Sequence, residues 1–269
     1  MSKDIIPPLG LGTFRLNGEP LMGSIHKALD LGYRHIDTAQ MYGNEETVGA
    51  AVDAHDLPRD ELFLTTKIWH DRLHHDDLLA SLQESVNRLR TDYVDLALIH
   101  WPSPGDAVPM REYIGALAEA KRQGLARHVG ISNFTVAQME QARGLPGGEA
   151  LVTNQVEVHP FLTNHKVVEA IRRRNMTATA YMPLAVGKVM KDATLKTIAD
   201  QRGVTPAQVV LAWLHQRGIV VIPSSTKEAH LRENLNALEL QLERQEIATI
   251  EGLDQGLHIA NPDFAPNWD

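Results

Sequence analysis

The chain has 269 residues and a formal net charge of −8, with 34 acidic side chains against 26 Lys and Arg. That balance argues against a nucleic acid or an anionic membrane as the main partner, because phosphate groups are gripped by concentrated Lys and Arg. A 43% hydrophobic and 22% charged composition is that of a globular protein, and the absence of cysteine excludes disulfides and thiol chemistry.

The opening MSKDIIPPLGLG lacks the long apolar stretch of a leader, and no run of about 20 apolar residues follows. A cytoplasmic location with no membrane partner is therefore expected. Short β-rich runs alternate with longer segments of helical period, predicting strands at 9–14, 35–39, 62–67, 94–100, 128–133, 152–157, 177–183 and 219–225. Residues 77–90 place Leu78, Leu82, Val86 and Leu89 on one helical face, and 206–217 do the same with Val209, Val210 and Trp213. Thr205 reads as an N-cap before the first-turn Pro206, and Arg172 to Arg174 as a solvated helix end. Linker-like composition appears only at 102–109 and 144–149, so one domain over 1–269 is expected. Eight strands alternating with helices in a chain near 250 residues predict an α/β fold, a single closed (β/α)8 TIM barrel. In that fold the chemistry sits at the C-terminal ends of the strands.

The last residues of the predicted strands are Gly12 and Thr13, Asp37, Lys67, His100, Ser132 and Asn133, Gln155, Tyr181, then Ser224 and Ser225. Polar and ionisable groups thus gather at one end of strands otherwise built from Val, Ile, Leu, Ala and Thr. A lysine beside a tyrosine lowers the phenol pKa, so Lys67 is expected to tune Tyr42, with Asp37 holding Lys67. His100 is suited to orienting a carbonyl oxygen or passing it a proton. Such a set protonates an oxygen that gains negative charge while its carbon is attacked, as in hydride reduction of a carbonyl. Ser132, Asn133 and Gln155 suit a planar carboxamide, and the Tyr181 ring suits stacking on a pyridine. No third glycine follows Gly10 and Gly12, since Arg15 stands there, so the open-sheet dinucleotide fingerprint is absent. The phosphate site is expected instead at IPSSTKEAHLREN, 222–234, before a helix N-terminus. His70, His74 and His75 lie at a loop-to-helix junction with Asp76 and Asp77, an arrangement that suits a helix start better than a metal site.

The blocks LGLGTFR, GYRHIDTAQMYGNE, TKIW, RLRTDYVDLALIHWP, VGISNF, NQVEVHP and VIPSSTKEAHLRENL occur in order along essentially the whole chain. They resemble the aldo-keto reductase family, and RTDYVDLALIHWPSP, IPSSTK and the ending FAPNWD are similar to its bacterial 2,5-diketo-D-gluconate reductase B type. The resemblance implies a (β/α)8 barrel, NADPH-dependent reduction of aldehydes or ketones, and a catalytic tetrad of Asp37, Tyr42, Lys67 and His100. It implies cofactor contacts from Thr13, Asp37, Ser132, Asn133, Gln155, Tyr181, Leu184, Ser224, Ser225, Thr226, Lys227, Arg232, Glu233 and Asn234. Met41, Trp69, Trp101, His159 and Trp268 are implied to line the substrate pocket.

Two positions depart from the family pattern: Ser224 stands where a lysine is usual and His230 where an arginine is usual, both of them grips for the 2′-phosphate. Lys227, Arg232 and the hydroxyls of Ser225 and Thr226 are expected to replace them, keeping NADPH as cofactor with NADH as the alternative. The expected substrates are small aldehydes, α-dicarbonyls such as methylglyoxal, or keto-sugar acids such as 2,5-diketo-D-gluconate, acted on by a monomer. A hairpin that usually closes the barrel bottom is expected to be missing. The alternative function on the same fold is a cofactor-binding regulatory subunit.

Overall fold

Eight parallel strands, joined in chain order, curl into one sheet in the computed structural model, which describes residues 5–269. They are β1 Leu11–Gly12, β2 His35–Asp37, β3 Phe63–Ile68, β4 Val94–Ile99, β5 Ala126–Ser132, β6 Leu151–Glu157, β7 Thr177–Tyr181 and β8 Val220–Val221. The ring closes where Gly10 N–H donates to Val221 O at 2.9 Å and Val221 N–H to Pro8 O at 3.0 Å. Gly12 is required at this seam, because a Cβ there would stand 2.5 Å from Ile222 O.

Helices cover the outside: α1 Gly18–Leu31, α2 Glu45–Asp53, α3 His75–Arg88, α4 Met110–Arg122, α5 Val136–Gly144 and α6 His165–Arg173. Between β7 and β8 lie two helices, α7 Ala193–Arg202 and α8 Pro206–Gln216, and after β8 come α9 Glu228–Asn236 and α10 Arg244–Glu251. The sequence reading expected one helix per strand. Thr205 caps α8 in a reciprocal box with Gln208, with Pro206 in the first turn. Arg172 and Arg173 occupy the last turn of α6, where the helix dipole favours cations.

The strands are almost wholly buried, since helices cover one face and the barrel interior the other. Predicted strand boundaries hold within a few residues except at β1 and β8. There the flanking Pro7, Pro8 and Pro223 have no N–H to donate, so pairing stops short of the apolar run. At the end where the strands begin, Ile6 packs with Leu96, Leu98 and Val220, joined by Ile5, Phe63 and Val152. Ile6 and these partners fill this end of the barrel. No helix among the described residues is long and apolar enough to cross a membrane.

Candidate active site

At the opposite rim, the tips of β2 and β3 bring Asp37 and Lys67 together. Lys67, fully buried, donates to the Asp37 carboxylate, to Thr38 O at 3.0 Å and to the Tyr42 hydroxyl at 3.2 Å. All three ammonium protons are thereby used. The second Asp37 oxygen accepts from Gln155 Nε2 at 2.8 Å, across from β6. Burial pulls the Lys67 pKa down, but Asp37 and Tyr42 outweigh it, so the ammonium holds its proton more firmly than usual.

Tyr42 departs from the sequence expectation. Burial pushes its phenol up, Lys67 pulls it down, and Asp37 pushes it up again; the net direction is upward. The resting tyrosine is therefore a neutral acid with its proton in place.

The loop carrying Tyr42 is built by its own neighbours. Thr38 Oγ1 donates to Asn44 Oδ1 at 2.6 Å, and Asn44 Nδ2 donates to the carbonyls of Thr13 and Leu16 at 3.0 and 2.9 Å. Gln40 Oε1 accepts the Trp69 N–H at 3.1 Å while its amide reaches Ser81 and Ser85 on α3, each at 3.1 Å. Glu45 accepts from Thr66 Oγ1 at 2.6 Å and pairs with Arg88 at 3.2 Å. Sequence reading passed over Gln40, Asn44 and Glu45, although each stands within five residues of Tyr42.

His100 meets the Tyr42 ring edge-on at 5.7 Å and the Trp69 ring at 5.1 Å. Burial, then the positive charge of Lys67 and the nearby His70, hold its pKa well below that of an ordinary histidine. It is neutral at physiological pH and presents one N–H donor.

Asn133, in a left-handed conformation (φ 64°) that Asn tolerates, turns back at the tip of β5. Its amide donates to His100 O at 2.9 Å and Ser132 Oγ at 3.2 Å, while its Oδ1 accepts from the Tyr181 hydroxyl at 2.7 Å. Ser132 Oγ donates to Gln155 O at 2.8 Å. The three residues read as carboxamide ligands thus spend most of their donors within the protein, leaving chiefly acceptor capacity at Gln155 Oε1 and Asn133 Oδ1. Ser132 is buried outside the cavity lining.

These groups open into a cavity of about 610 Å³ bounded by Thr13, Met41, Trp69, Trp101, Tyr181, Leu184 and Ser224, among others. Its size suits a small-molecule site. At one end the stretch 224–227, exposed except for the half-buried Ser225, leads into α9: Ser225 Oγ accepts Lys227 N–H at 3.1 Å, and Arg232 pairs with Glu228 at 2.9 Å. Thr226 and Lys227 are exposed, Glu233 is half-buried, and Asn234 is buried beside Tyr33. None of Ser225, Thr226, Lys227, Arg232, Glu233 and Asn234 lines the cavity itself. Arg15, which sequence reading used only to dismiss a glycine fingerprint, does line it, its guanidinium 5.1 Å over the Phe14 ring.

Two pocket expectations need correction. His159 is fully buried and outside the lining; Nε2 is 2.8 Å from Glu157, because the chain bends back in a bridge between His159 and Leu162. Trp268 stacks on His258 at 4.5 Å and stands 6.0 Å from Trp101, behind the wall rather than in it. The aromatic that the C-terminal segment does contribute is Phe264, edge-on to Trp101 at 5.5 Å and Trp69 at 5.9 Å, together with Ala260 and Pro262. Glu157 holds this segment, accepting the N–H groups of Ile259 at 2.8 Å and Ala260 at 2.9 Å. Glu157 follows Gln155 by two residues on β6, a same-face spacing that was a readable signal; Phe264, in an irregular segment, had none. Of the three histidines between 70 and 75, His74 turns to Glu112 and His75 to Asp76.

A family model described as the aldo/keto reductase family matches residues 8–255. Methylglyoxal reductase DkgB of Escherichia coli O157:H7 is 50% identical over 265 residues, covering 98% of this chain and 99% of that protein. An aldo-keto reductase of Mycolicibacterium paratuberculosis is 38% identical, covering 94% of this chain and 88% of its own length. A crystal structure of a protein provisionally named 2,5-diketo-D-gluconic acid reductase B superposes with a TM-score of 0.93 at 46% identity, covering 100% of this chain and 96% of that one.

Proposed function

Because the chain belongs to the aldo/keto reductase family, and is an oxidoreductase acting on carbonyl groups, we propose that it is a cytoplasmic, monomeric NADPH-dependent reductase of small aldehydes, α-dicarbonyls such as methylglyoxal, and keto-sugar acids such as 2,5-diketo-D-gluconate. One observation carries this reading: a buried ammonium, Lys67, donates at 3.2 Å to the hydroxyl of a neutral tyrosine that opens into an aromatic cavity.

The residues present fit a nicotinamide dinucleotide. Tyr181, half-exposed in the cavity and fixed through its hydroxyl by Asn133, offers an aromatic face, and Gln155 and Asn133 retain acceptors for carboxamide N–H groups. Ser224, Ser225, Thr226 and Lys227 offer hydroxyls, a cation and the start of a nine-residue helix to phosphate. Arg232 is tied to Glu228, so Lys227 and the cavity-lining Arg15 are the better supported substitutes for the cations missing at Ser224 and His230. When bound, the reduced nicotinamide supplies a hydride.

In this reading the protein's own residues manage the oxygen. Neutral His100 donates a hydrogen bond that orients the substrate carbonyl towards Tyr42. Tyr42 gives its proton to that oxygen as negative charge builds on it. The tyrosinate left behind is stabilised by Lys67, which Asp37 and, through Asp37, Gln155 keep in place. Trp69, Trp101 and Phe264 exclude water from the reacting centre.

The test is oxidation of NADPH and of NADH with methylglyoxal and 2,5-diketo-D-gluconate. Tyr42→Phe is expected to lose about 10²–10⁴-fold in kcat while still binding the cofactor. Tight cofactor binding without turnover on a broad carbonyl panel overturns the reductase reading.

A further inference from the structure

We infer that Glu157 is a positioning residue for the substrate: by tethering residues 259 and 260 it fixes the cavity wall formed by Phe264. The inference rests on the carbonyl-reductase reading above. Glu157 is the last residue of β6 and only 2% exposed. Gln155, on the same strand face, reaches Asp37, whereas Glu157 makes no contact with the tetrad. Its carboxylate instead takes two backbone N–H groups, Ile259 at 2.8 Å and Ala260 at 2.9 Å, and His159 Nε2 at 2.8 Å. Since a carboxylate only accepts, the Nε2 atom carries the proton. Charge-assisted bonds are roughly twice as strong as neutral ones, and removing this buried acceptor leaves two N–H groups unpaired.

The tether leads directly into the substrate space. Ala260, Pro262 and Phe264 line the cavity, and Phe264 lies against Trp69, the ring that also meets His100, and against Trp101. A second anchor holds the far end, where Asp269 accepts the Val136 N–H at the start of α5 at 2.8 Å. Between these anchors the segment makes ring contacts and two bonds of its own, Ala265 N–H to Pro262 O at 2.8 Å and Trp268 Nε1–H to Asn261 Oδ1 at 2.9 Å, so Glu157 is the barrel's hydrogen-bonded grip just ahead of Phe264. Glu157 itself lies outside the lining and acts through the segment.

The test compares wild type, Glu157→Gln and Phe264→Ala with methylglyoxal and the bulkier phenylglyoxal, alongside NADPH affinity. Gln keeps the size but turns an amide donor towards one of the two tethering N–H groups. Glu157→Gln is expected to raise the methylglyoxal KM about tenfold, equivalent to one charge-assisted hydrogen bond. It should shift relative kcat/KM towards phenylglyoxal, with kcat and NADPH affinity held within about twofold. Phe264→Ala should reproduce the shift, and adding Glu157→Gln to it should change the ratio little further, as expected of coupled sites.

An unchanged KM and ratio overturns the inference, as does a parallel fall in kcat and cofactor affinity, which signals general loosening of the barrel. If Glu157→Gln does not fold, Ala260→Pro deletes one tethering N–H with Glu157 intact and is read by the same ratio. Should wild type reduce neither dicarbonyl, the α-dicarbonyl part of the reductase reading fails separately. Acrylamide quenching of tryptophan emission, against a Trp268→Phe control, then decides the tether: more quenching in Glu157→Gln supports it, and equal quenching sinks it.

Discussion

At the level of single side chains, the site is organised by where protons rest. Lys67 is charged and Tyr42 and His100 are neutral, each for a stated reason: ion pairing for the first, burial for the other two. Replacing Lys67 by Met strands the buried Asp37 carboxylate with Gln155 as its main partner. A loss of about 3–5 kcal/mol of stability is expected in urea unfolding, along with a collapse of kcat. The shifts also set a pH profile. Tyr42 keeps its proton beyond pH 10 and His100 stays neutral well below 6.5, so the reduction rate should be flat from about pH 6.5 to 9, without the acid limb of an ordinary histidine. An inflection near pH 6.5 in kcat would contradict this. Asp37, Lys67 and His100 were legible because they stand at or near the C-terminal ends of the predicted strands. The direction of the Tyr42 shift was not, because a sequence displays the neighbouring cation but hides the loss of water. His159 was misassigned for a related reason: position in a motif does not say which way a side chain faces after the chain turns.

Among the elements, α2 shows how an outer helix supports the rim. It begins three residues after Tyr42, carries Glu45 to Thr66 and Arg88, and packs so tightly that a Cβ on Gly49 would stand 2.3 Å from Arg88 O and 2.7 Å from the Leu89 carbonyl carbon. Gly49→Ala forces α2 away from α3 and should cost about 2 kcal/mol or more by urea midpoint, with kcat falling as the Tyr42 loop shifts. Unchanged stability would mean that the two helices separate freely. Strands were legible as elements because parallel strands buried on both faces read as continuous apolar runs. The ends of β1 and β8 were not, since prolines there cut pairing without changing hydrophobicity. The segment after α10 has no periodicity at all, which is why its Phe264 was overlooked although its residues had been quoted as part of a motif.

For the molecule as a whole, the barrel is sealed at one end by Ile6 and its partners and carries its chemistry at the other. Ile6→Ala should cost about 2–5 kcal/mol, read by denaturant unfolding, with KM left unchanged because the active site lies at the far rim. His35, inside the barrel, hydrogen-bonds Thr65 at 3.0 Å and meets Phe63 edge-on. Burial chiefly lowers its pKa from 6.5 to about 4. Between those values the unfolded chain binds the proton and the folded one does not, so stability rises with pH across the window and is lost on acidification, by up to about 3 kcal/mol from this group. In His35→Gln the fall in stability between pH 6.5 and 4 should be shallower than in wild type, whatever its value at neutral pH; an identical slope would exclude His35 as its source. The hydrogen bond from Gln155 to Asp37 joins β6 to β2 across the bore rather than between neighbouring strands. If the chain is cut between Arg122 and Ala126, one fragment keeps Asp37, Tyr42, Lys67 and His100 while the other keeps Gln155, Tyr181 and the Phe264 segment. Neither half-ring owns the reaction, so turnover recovered on mixing the two becomes a direct gauge of how completely the ring has re-formed.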